Sequence, residues 1–390
     1  MKEFETDIVV VGSGLVGLLA AHSLSSLNYK VVLIDKKKLL TTAQSLKDTR
    51  TVAVSEGSKC FLESLSLWGS LKPYSEPIKT IKVYDRSPNN KILFYNQTKK
   101  QNLGYVIENK KFSKILIKKL KKFKNIKVLF GNEIKKIEFG EKKSKTYLKK
   151  HKIKSKLIIA ADGKNSDIKK MAGNKDYRKT YKESALVLNF VHKKNLSNTA
   201  YEVFYNTGPL AILPMRSFNN NYVSTVIWSN KLSFLKKLEE ANNKFVAGFL
   251  EERIGQIVGS VIKINSKQIF SLSAHINDSF INKRLIYVGD SAHSIHPIAG
   301  QGWNLGVNDV KNLYKISQKI NSNIGSEPYC KLYNDLSYGK AFQLYQITDK
   351  LNLHFKKNGN MYRFLSSVGF GFIDNKNSIK NKLSKYAMGI

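Results

Sequence analysis

The chain is poor in cysteine and in acidic residues. Cys60 and Cys330 are its only two cysteines among 390 residues, and they form neither a CxxC pair nor a metal-ligand pattern. A disulfide-rich scaffold is therefore excluded, and we expect two free thiols in a reducing compartment. Only 29 Asp and Glu residues face 66 Lys and Arg, so the net charge is +37. Such an excess of positive charge favours binding to nucleic acid, to an anionic membrane or to an acidic substrate. Alternatively, it reflects compositional drift.

The sequence also lacks features that would accompany several of these partners. No recognisable nucleic-acid-binding module goes with the charge, so we expect no nucleic-acid partner. The longest apolar run, Ile8–Leu24, is interrupted by three glycines, preceded by acidic residues and followed by a second short apolar run at residues 30–34. A βαβ unit explains this pattern better than a signal peptide or a membrane span. We expect a cytoplasmic protein, with peripheral attachment to the inner face of the cytoplasmic membrane as a further expectation.

A glycine-rich turn follows the first predicted strand. Gly12-Ser13-Gly14-Leu15-Val16-Gly17 is a GxGxxG motif at the start of a predicted helix. Gly12 permits the tight turn, Gly14 lets the backbone approach a pyrophosphate, and Gly17 lets helix and strand pack closely. Asp35 ends the second strand, where an acidic side chain can accept hydrogen bonds from ribose hydroxyls. This context predicts a dinucleotide site, without separating FAD from NAD.

A second glycine-rich segment lies far along the chain. A predicted buried strand, residues 285–288, is followed directly by Gly289-Asp290. Another predicted helix then begins with the run Gly300-Gln301-Gly302-Trp303-Asn304. Asp290 at a strand end can bind a ribityl or ribose hydroxyl. The glycines open a helix N-terminus toward a carbonyl that becomes anionic when flavin is reduced.

This second segment resembles the second FAD fingerprint of flavoprotein hydroxylases related to para-hydroxybenzoate hydroxylase, and residues 289–310 resemble the ubiquinone-biosynthesis branch. Four other segments are similar to that branch: 157–163 with Ser166, 48–55 around Arg50, 103–109 and 208–214. The resemblance spans the chain from about residue 5 to the C-terminus. Two positions depart from the family pattern: Asp35 replaces the usual Glu, and Trp303 is bulkier than the usual aliphatic residue.

The resemblance implies an FAD-dependent monooxygenase. NADPH or NADH would reduce the flavin, O₂ would add to it, and the flavin hydroperoxide would hydroxylate the aromatic ring of a polyprenylated phenol. Other ubiquinone-pathway proteins would be partners. The expected cofactor-binding residues are Gly12, Gly14, Leu15, Gly17, Asp35, Lys36, Arg50, Asp162, Asp290, Pro297, Gly300, Gly302, Trp303 and Asn304, and Leu210, Ile212 and Pro214 are expected to border the substrate. No protein nucleophile is expected, since the flavin carries the chemistry.

The expected fold is α/β, with a doubly wound Rossmann-type FAD-binding domain interleaved with a β-rich substrate domain, plus C-terminal helices. We assign residues 1–75, 100–180 and 276–330 to the FAD-binding domain. Residues 76–99 and 181–275 form the substrate domain, and residues 331–390 the C-terminal helical region. One long charged helix is predicted at about 232–252, and a basic amphipathic helix at 379–388.

Other interpretations compete with this one. His293 and His296 are three residues apart but have no evident third ligand, so no metal site is expected. Ser291 does not lie in a GxSxG turn, which argues against a hydrolase triad. Asp162 could cap the following helix as well as bind a cofactor. A hydroxylase of a small soluble aromatic acid, a flavin-dependent prenyl reductase and a basic adaptor protein are the alternative functions.

Overall fold

The computed structural model describes residues 2–38, 48–85, 87–95, 101–218, 221–320, 323–356 and 376–389. Its helices are α1 (Leu15–Ser25), α2 (Glu56–Ser64), α3 (Trp68–Leu71), α4 (Asn109–Leu120), α5 (Asp167–Ala172), α6 (Leu232–Glu240), α7 (Asn243–Val258), α8 (Gln301–Lys319), α9 (Glu327–Lys356) and α10 (Asn377–Met388). Short 3₁₀ turns cover Lys72–Tyr74, Gly289–Ser291 and Ile298–Gly300.

The strands in the first half of the chain are β1 (Lys2–Val11), β2 (Val31–Asp35), β3 (Thr51–Ser55), β4 (Ser75–Ile78), β5 (Thr80–Asp85), β6 (Ser87–Tyr95), β7 (Gly104–Glu108), β8 (Ile126–Phe130), β9 (Ile134–Glu138), β10 (Ser144–Leu148) and β11 (His151–Ala160). Those in the second half are β12 (Asp176–His192), β13 (Thr199–Tyr205), β14 (Gly208–Phe218), β15 (Asn221–Lys231), β16 (Val261–Asn277), β17 (Ile281–Asn282), β18 (Leu285–Tyr287) and β19 (His293–Ser294).

The first large sheet has a parallel core in the order β18-β11-β1-β2-β8, with antiparallel additions at β17, β10 and β9. Its central strand is fully buried at Ile8, Val9 and Val10, as a parallel strand covered on both faces must be. Helix α1 returns the chain from β1 to β2 and packs against α4 and α8. The carboxyl ends of β1, β11 and β18 therefore meet at one edge, where ligands bind in doubly wound sheets.

The second large sheet is mainly antiparallel, in the order β19-β16-β12-β15-β14-β13-β5-β6. Its strands come from three separate stretches of the chain, so the two sheets are interleaved in sequence. A small sheet, β3-β7-β4, makes a third unit. The predicted fold class is confirmed: a doubly wound α/β unit interleaved with a β-rich unit, followed by helices.

The predicted boundary at residue 181 falls inside a strand. β12 runs without interruption from Asp176 to His192, and its pairing with β16 shifts register between Thr180 and Ser184. The first part of this strand could not be predicted from the sequence, because residues 175–179 are mostly charged. The alternation of apolar and polar residues begins only after them. The domain bounds therefore remain a prediction.

The predicted single helix at 232–252 is wrong, because the structure divides it into α6 and α7. The side chain of Asn242 accepts a hydrogen bond from the backbone N–H of Phe245 at 2.8 Å and so caps α7. Asparagine at this position competes with the helix for backbone groups and favours a new N-terminus. The predicted C-terminal helix at 379–388 corresponds to α10, whereas residues 357–375 and 390 of the predicted helical region lie outside the described residues.

Candidate functional site: a flavin cleft at the sheet edge

The first glycine-rich turn lies between β1 and α1. Gly12 has φ +104°, and a Cβ placed there would lie 2.2 Å from the carbonyl oxygen of Ala161. A Cβ on Gly17 would lie 2.0 Å from the carbonyl oxygen of Gly12. Both glycines are therefore required for the backbone conformation and the close packing of helix against turn.

Gly14 has a different environment. A Cβ at Gly14 would meet no atom of the described residues within 4 Å, and its φ of −63° suits any residue. Gly14 is also the N-cap of α1, and in the described part of the chain no side chain caps this helix. Leu15, the first helical residue, packs partly against the core. The free N–H groups and the positive helix end thus face open space beside a glycine, as a phosphate requires.

Asp35 is held by the glycine-rich turn. Its Oδ2 accepts hydrogen bonds from the backbone N–H and the hydroxyl of Ser13, both at 2.6 Å. Its Oδ1 accepts from the backbone N–H of Lys37 at 2.7 Å. Each oxygen retains capacity for a further hydrogen bond, so ribose contact remains a proposal. Lys36 points away to an exposed ion pair with Asp167 at 2.8 Å.

Asp162 follows β11 at the same edge. Its Oδ2 accepts a hydrogen bond from the backbone N–H of Ile168 at 3.2 Å, so it does bind the start of α5, which Ser166 caps. Its Oδ1 is buried and has no partner among the described residues. Burial raises the pKa of this carboxyl, although hydrogen bonds from Ser166 and Ile168 oppose the rise.

Asp290 lies on the turn that leaves β18. The turn requires Gly289, whose φ is +58° and whose Cβ position lies 3.0 Å from Val16 of α1. Asp290 keeps an accessible side chain, yet the surrounding protein raises its pKa, against the opposing charges of His293 and Arg50. The position of Asp290 after β18 places it at the carboxyl edge of the first sheet. Pro297 is half-buried, and its contact with the cofactor stays a prediction.

Arg50 approaches Asp290 from another segment. Asp48 fixes its guanidinium with two hydrogen bonds of 2.9 Å, and the group lies 5.4 Å from the ring centre of Phe270. The bidentate pairing and the aromatic contact orient the planar cation. The charge of Asp290 also helps to raise the pKa of Arg50. That Arg50 and Asp290 border one cofactor cleft stays a prediction.

Helix α8 begins at the cleft. Its N-cap, Gly300, has φ +61°, and a Cβ at Gly302 would meet nothing within 4 Å in the described structure. Trp303 packs edge-on against Phe112 of α4, with ring centres 5.2 Å apart. Its side chain therefore contributes to the helix packing, and its indole N–H is buried without a partner among described residues.

The side chain of Asn304 binds protein groups with both of its polar atoms. Its Oδ1 accepts from the backbone N–H of Ser55 and the hydroxyl of Ser58, each at 2.9 Å. Its Nδ2 donates to the carbonyl oxygen of Ala53 at 2.9 Å. The predicted role of Asn304 in cofactor binding stays a prediction. Asn304 joins α8 to β3, the strand that follows Arg50.

Two of the predicted substrate-lining residues point the wrong way. Leu210 and Ile212 are 0% exposed and pack under α6 and α7 with Trp228. The period of two along β14 places Ala211 and Leu213 on the opposite face, and both are partly exposed. Pro214 is buried on the same side as Ile212. The prediction for Leu210 and Ile212 is corrected: the neighbouring residues form the accessible wall.

The histidines and Ser291 have structural partners. The Nε2–H of His293 donates to Oδ2 of Asp309 at 2.7 Å, and His296 lies 3.9 Å from Glu183. The hydroxyl of Ser291 donates to the carbonyl oxygens of Ala160 and Val288. Among the described residues, no group of His, Cys, Asp and Glu has the arrangement of a metal site. Within the same ranges, no helix is long and apolar enough to span a membrane.

The family model for an FAD binding domain matches residues 5–323. The chain belongs to this FAD-binding family. The family match confirms the predicted cofactor, FAD.

The similarity extends to curated and solved relatives of this FAD-binding protein. A ubiquinone hydroxylase, UbiL, of Rhodospirillum rubrum is 27% identical over 98% of this chain and 89% of its own. The 3-demethoxyubiquinol 3-hydroxylase of Escherichia coli is 25% identical over the full length of both. In structure, p-nitrophenol 4-monooxygenase PnpA of Pseudomonas putida superposes with a TM-score of 0.78 at 17% identity, covering 100% and 99% of the two chains. The resemblance to ubiquinone-biosynthesis hydroxylases is confirmed.

The residues present fit FAD. The side of Gly14 is open, two helix N-termini lack side-chain caps among the described residues, and the buried Oδ1 of Asp162 lacks a donor in the same ranges. Ser13, Ser55, Ser58 and Asp309 organise this cleft although sequence reasoning did not assign them a role. Ser13 and Asp309 lay within the quoted motifs but were given no role. The contacts of Ser55 and Ser58 with Asn304 gave no sequence signal, because these residues are about 250 positions apart.

Proposed function

We propose that the chain hydroxylates the aromatic ring of a polyprenylated phenol in ubiquinone biosynthesis, as an FAD-dependent monooxygenase. In the overall reaction, one oxygen atom of O₂ enters the ring and the other leaves as water, with NADPH or NADH as the two-electron donor. The names of the curated relatives, together with similarity over nearly the whole chain, support this proposal. Bound FAD would supply the electron transfer and the activation of O₂.

The observation that most directly supports this proposal is the accessible apolar face of the second sheet. On the face under α6 and α7, Leu188, Ile212 and Val226 are fully buried. On the other face, Ala211, Leu213 and Ile227 are partly exposed although they lie on central strands. An incompletely covered apolar face in the middle of a sheet supports a cavity for an apolar ligand.

This face looks toward the flavin cleft. Asn189 donates a hydrogen bond to the carbonyl oxygen of Thr49 at 3.0 Å, next to Arg50. At the other side, Phe204 packs with Ile298 of the loop that leads into α8. A prenylated ring held here would lie between the apolar sheet and the cleft, and its own apolar surface would exclude water from the flavin.

For the cofactor, we propose that the N-termini of α1 and α8 bind the pyrophosphate and the flavin carbonyl. Asp35 and Asp290 would accept from ribose or ribityl hydroxyls, and Arg50 would lie beside the flavin. The geometry supporting these roles is the convergence of β1, β11 and β18 at one sheet edge.

We also propose peripheral attachment to an anionic membrane, where a polyprenylated substrate resides. Exposed apolar side chains follow one side of α9, at Leu332, Leu336, Ile347 and Leu351. Their spacing places them on one helix face, and the net charge of +37 would attract anionic lipid. Other proteins of the ubiquinone pathway are further proposed partners.

Quinone profiling tests the proposed function. The gene is expressed in bacterial strains that each lack one ubiquinone-ring hydroxylase, and ubiquinone is measured by mass spectrometry. Restored ubiquinone in one strain identifies the pathway and the ring position, with a Gly17→Ala variant as negative control. Soluble yellow protein without restoration in any strain would contradict the proposal and favour a soluble aromatic acid or a prenyl group as substrate.

A further inference from the structure

One row of side chains crosses the accessible face of the second sheet. Pairing from β6 through β5, β13, β14, β15 and β12 to β16 places seven residues side by side. In order they are Ile92, Val83, Glu202, Ala211, Ile227, Val187 and Gln268. Glu202 is the only ionisable member of this row, which is otherwise apolar except at its end.

Both ends of the row touch segments that border the flavin cleft. Gln268 lies 3.3 Å from the hydroxyl of Thr49, the neighbour of Arg50. At the opposite end, Ile92 and Val83 pack with Ile298, just before the N-terminus of α8. Glu202 stands between these two contacts, on the surface that the proposed substrate ring would face.

The carboxyl of Glu202 has no hydrogen-bond or ion-pair partner within the described part of the chain, and burial alone raises its pKa to about 8. Part of the side chain nevertheless stays accessible. On α9, which packs against β13, Asp349 pairs with Lys179 and Lys356 pairs with Glu183. Asp85 of β5 lies two residues from Val83, and it leaves the pKa of Glu202 unaltered.

We propose that Glu202 accepts the proton of the substrate's phenolic hydroxyl. This inference rests on the proposed function and assigns the protein group that activates the ring. An isolated carboxyl in an apolar wall is costly to maintain unless a ligand uses it. In an apolar row, the phenol O–H is the one polar group of a prenylated phenol that can meet it.

The proton transfer balances within the proposed reaction. The phenol O–H bond breaks, its proton goes to a carboxylate oxygen of Glu202, and the electron pair stays on the phenol oxygen. That charge spreads to the ring carbons, which then attack electrophilic oxygen more readily. The C–H proton of the hydroxylated carbon then goes to the second oxygen atom, which leaves as water. The ring regains aromaticity, and Glu202 returns its proton to the phenolate oxygen.

This transfer is favoured because burial brings the pKa of the Glu202 carboxyl closer to that of the substrate phenol. A phenol ionises near pH 10 in water, as tyrosine does, whereas a carboxylate with an ordinary pKa near 4.3 would be too weak a base. Burial brings the acceptor closer to the donor, and general bases work best when their pKa lies near the operating pH.

The test is single-turnover hydroxylation by Glu202→Gln, which keeps the shape of the side chain and cannot accept the proton. FAD-loaded enzyme is reduced anaerobically with dithionite and mixed with O₂ and 2-geranylphenol, and the hydroxylated product is measured. Glu240→Gln, an exposed glutamate on α6, is the matched control. We expect Glu202→Gln to lose about 100-fold or more in rate, the usual contribution of a general base, with unchanged FAD content.

A series of fluorinated 2-geranylphenols separates proton transfer from a structural role. Fluorine lowers the phenol pKa, so the rate gap between wild type and Glu202→Gln should narrow as the substrate ionises unaided. The inference is overturned if Glu202→Gln loses the same factor in rate for every phenol, or if its rate stays within threefold of the wild-type rate. In either case, product formation by the wild-type enzyme leaves the proposed function intact. If wild-type enzyme forms no product from any of these phenols, the proposed function fails and the inference falls with it.

Discussion

The Nε2 atom of His293 lies 2.7 Å from Oδ2 of Asp309, and both side chains are buried beneath the flavin cleft. The same carboxylate oxygen accepts the backbone N–H of Gly289 at 2.8 Å. Asp309 of α8 therefore fixes the turn that carries Asp290. Burial opposes the charged form of His293, but the charge and hydrogen bond of Asp309 outweigh it and raise the histidine's pKa.

This pair predicts a pH dependence of stability. Because the folded-state pKa of His293 is above its unfolded value of about 6.5, its contribution is complete below that pH and is lost as the pH rises through the folded pKa. The difference in the free energy of unfolding between wild type and His293→Gln, measured with urea on FAD-free protein, should decrease over this range. A difference that stays constant with pH would contradict the assignment.

His22 provides a control of opposite sign. Burial, assisted by Lys119, lowers its pKa to about 4. Its neutral form stabilises the fold, so the contribution is lost as the pH falls from about 6.5 through about 4. The difference between wild type and His22→Gln should therefore increase with pH in that lower window.

The two glycines of the first turn should separate cofactor binding from folding. Gly14→Ala should change the free energy of unfolding of the FAD-free protein by no more than about 1 kcal/mol, since its Cβ meets no described atom within 4 Å. The added methyl should weaken FAD binding, measured by flavin fluorescence, because it occupies the side approached by the pyrophosphate. Gly17→Ala should impair both properties, since overpacking costs about 1–3 kcal/mol. Equal effects of both variants on stability would refute this distinction.

Asn304 should act through the protein scaffold. Asn304→Ala leaves the backbone groups of Ser55 and Ala53 without their partner, so we expect a loss of about 1–3 kcal/mol in the free energy of unfolding of FAD-free protein. Asn308→Ala, one turn along the same helix, is the control and should stay within about 0.5 kcal/mol of wild type. If Asn304→Ala lowers the free energy of unfolding only when FAD is present, the side chain of Asn304 contacts the cofactor instead.

Neighbouring residues of β14 should have opposite phenotypes. Ala211→Leu adds volume to the proposed substrate wall, so kcat/KM for 2-geranylphenol should decrease while the fold remains stable. Ile212→Ala creates a cavity under α6 and α7 and should cost about 2–5 kcal/mol of stability with little change in substrate preference. Thermal unfolding and steady-state kinetics on both variants check this assignment, which fails if Ile212→Ala alters the preference.

The apolar stripe on α9 should contribute to membrane attachment. We expect wild-type protein to cosediment with anionic liposomes at moderate salt and Leu336→Ser/Ile347→Ser to bind less. Leu232→Ser/Phe245→Ser removes exposed apolar residues from α6 and α7 and serves as the control. Failure of wild-type protein to bind anionic liposomes would contradict the proposed attachment.

Local sequence was sufficient for the turns that depend on glycine and for the strands that precede them. Gly12 and Gly17 could be assigned because only a residue without a side chain tolerates those backbone contacts, whatever the rest of the fold. The apolar residues 8–11 at the end of β1 predicted a buried parallel strand for a similarly local reason. The order of these motifs along the chain then predicted the family and its cofactor.

Pairing between distant strands decided the rest. Both faces of β14 are apolar, so alternation alone could not show that helices cover Leu210 and Ile212 and leave Ala211 accessible. Glu202 became a candidate only when pairing placed it in an apolar row that ends beside Thr49. The binding of Asn304 to β3 was equally invisible, because a hydrogen bond across about 250 residues leaves no periodic signal in either segment.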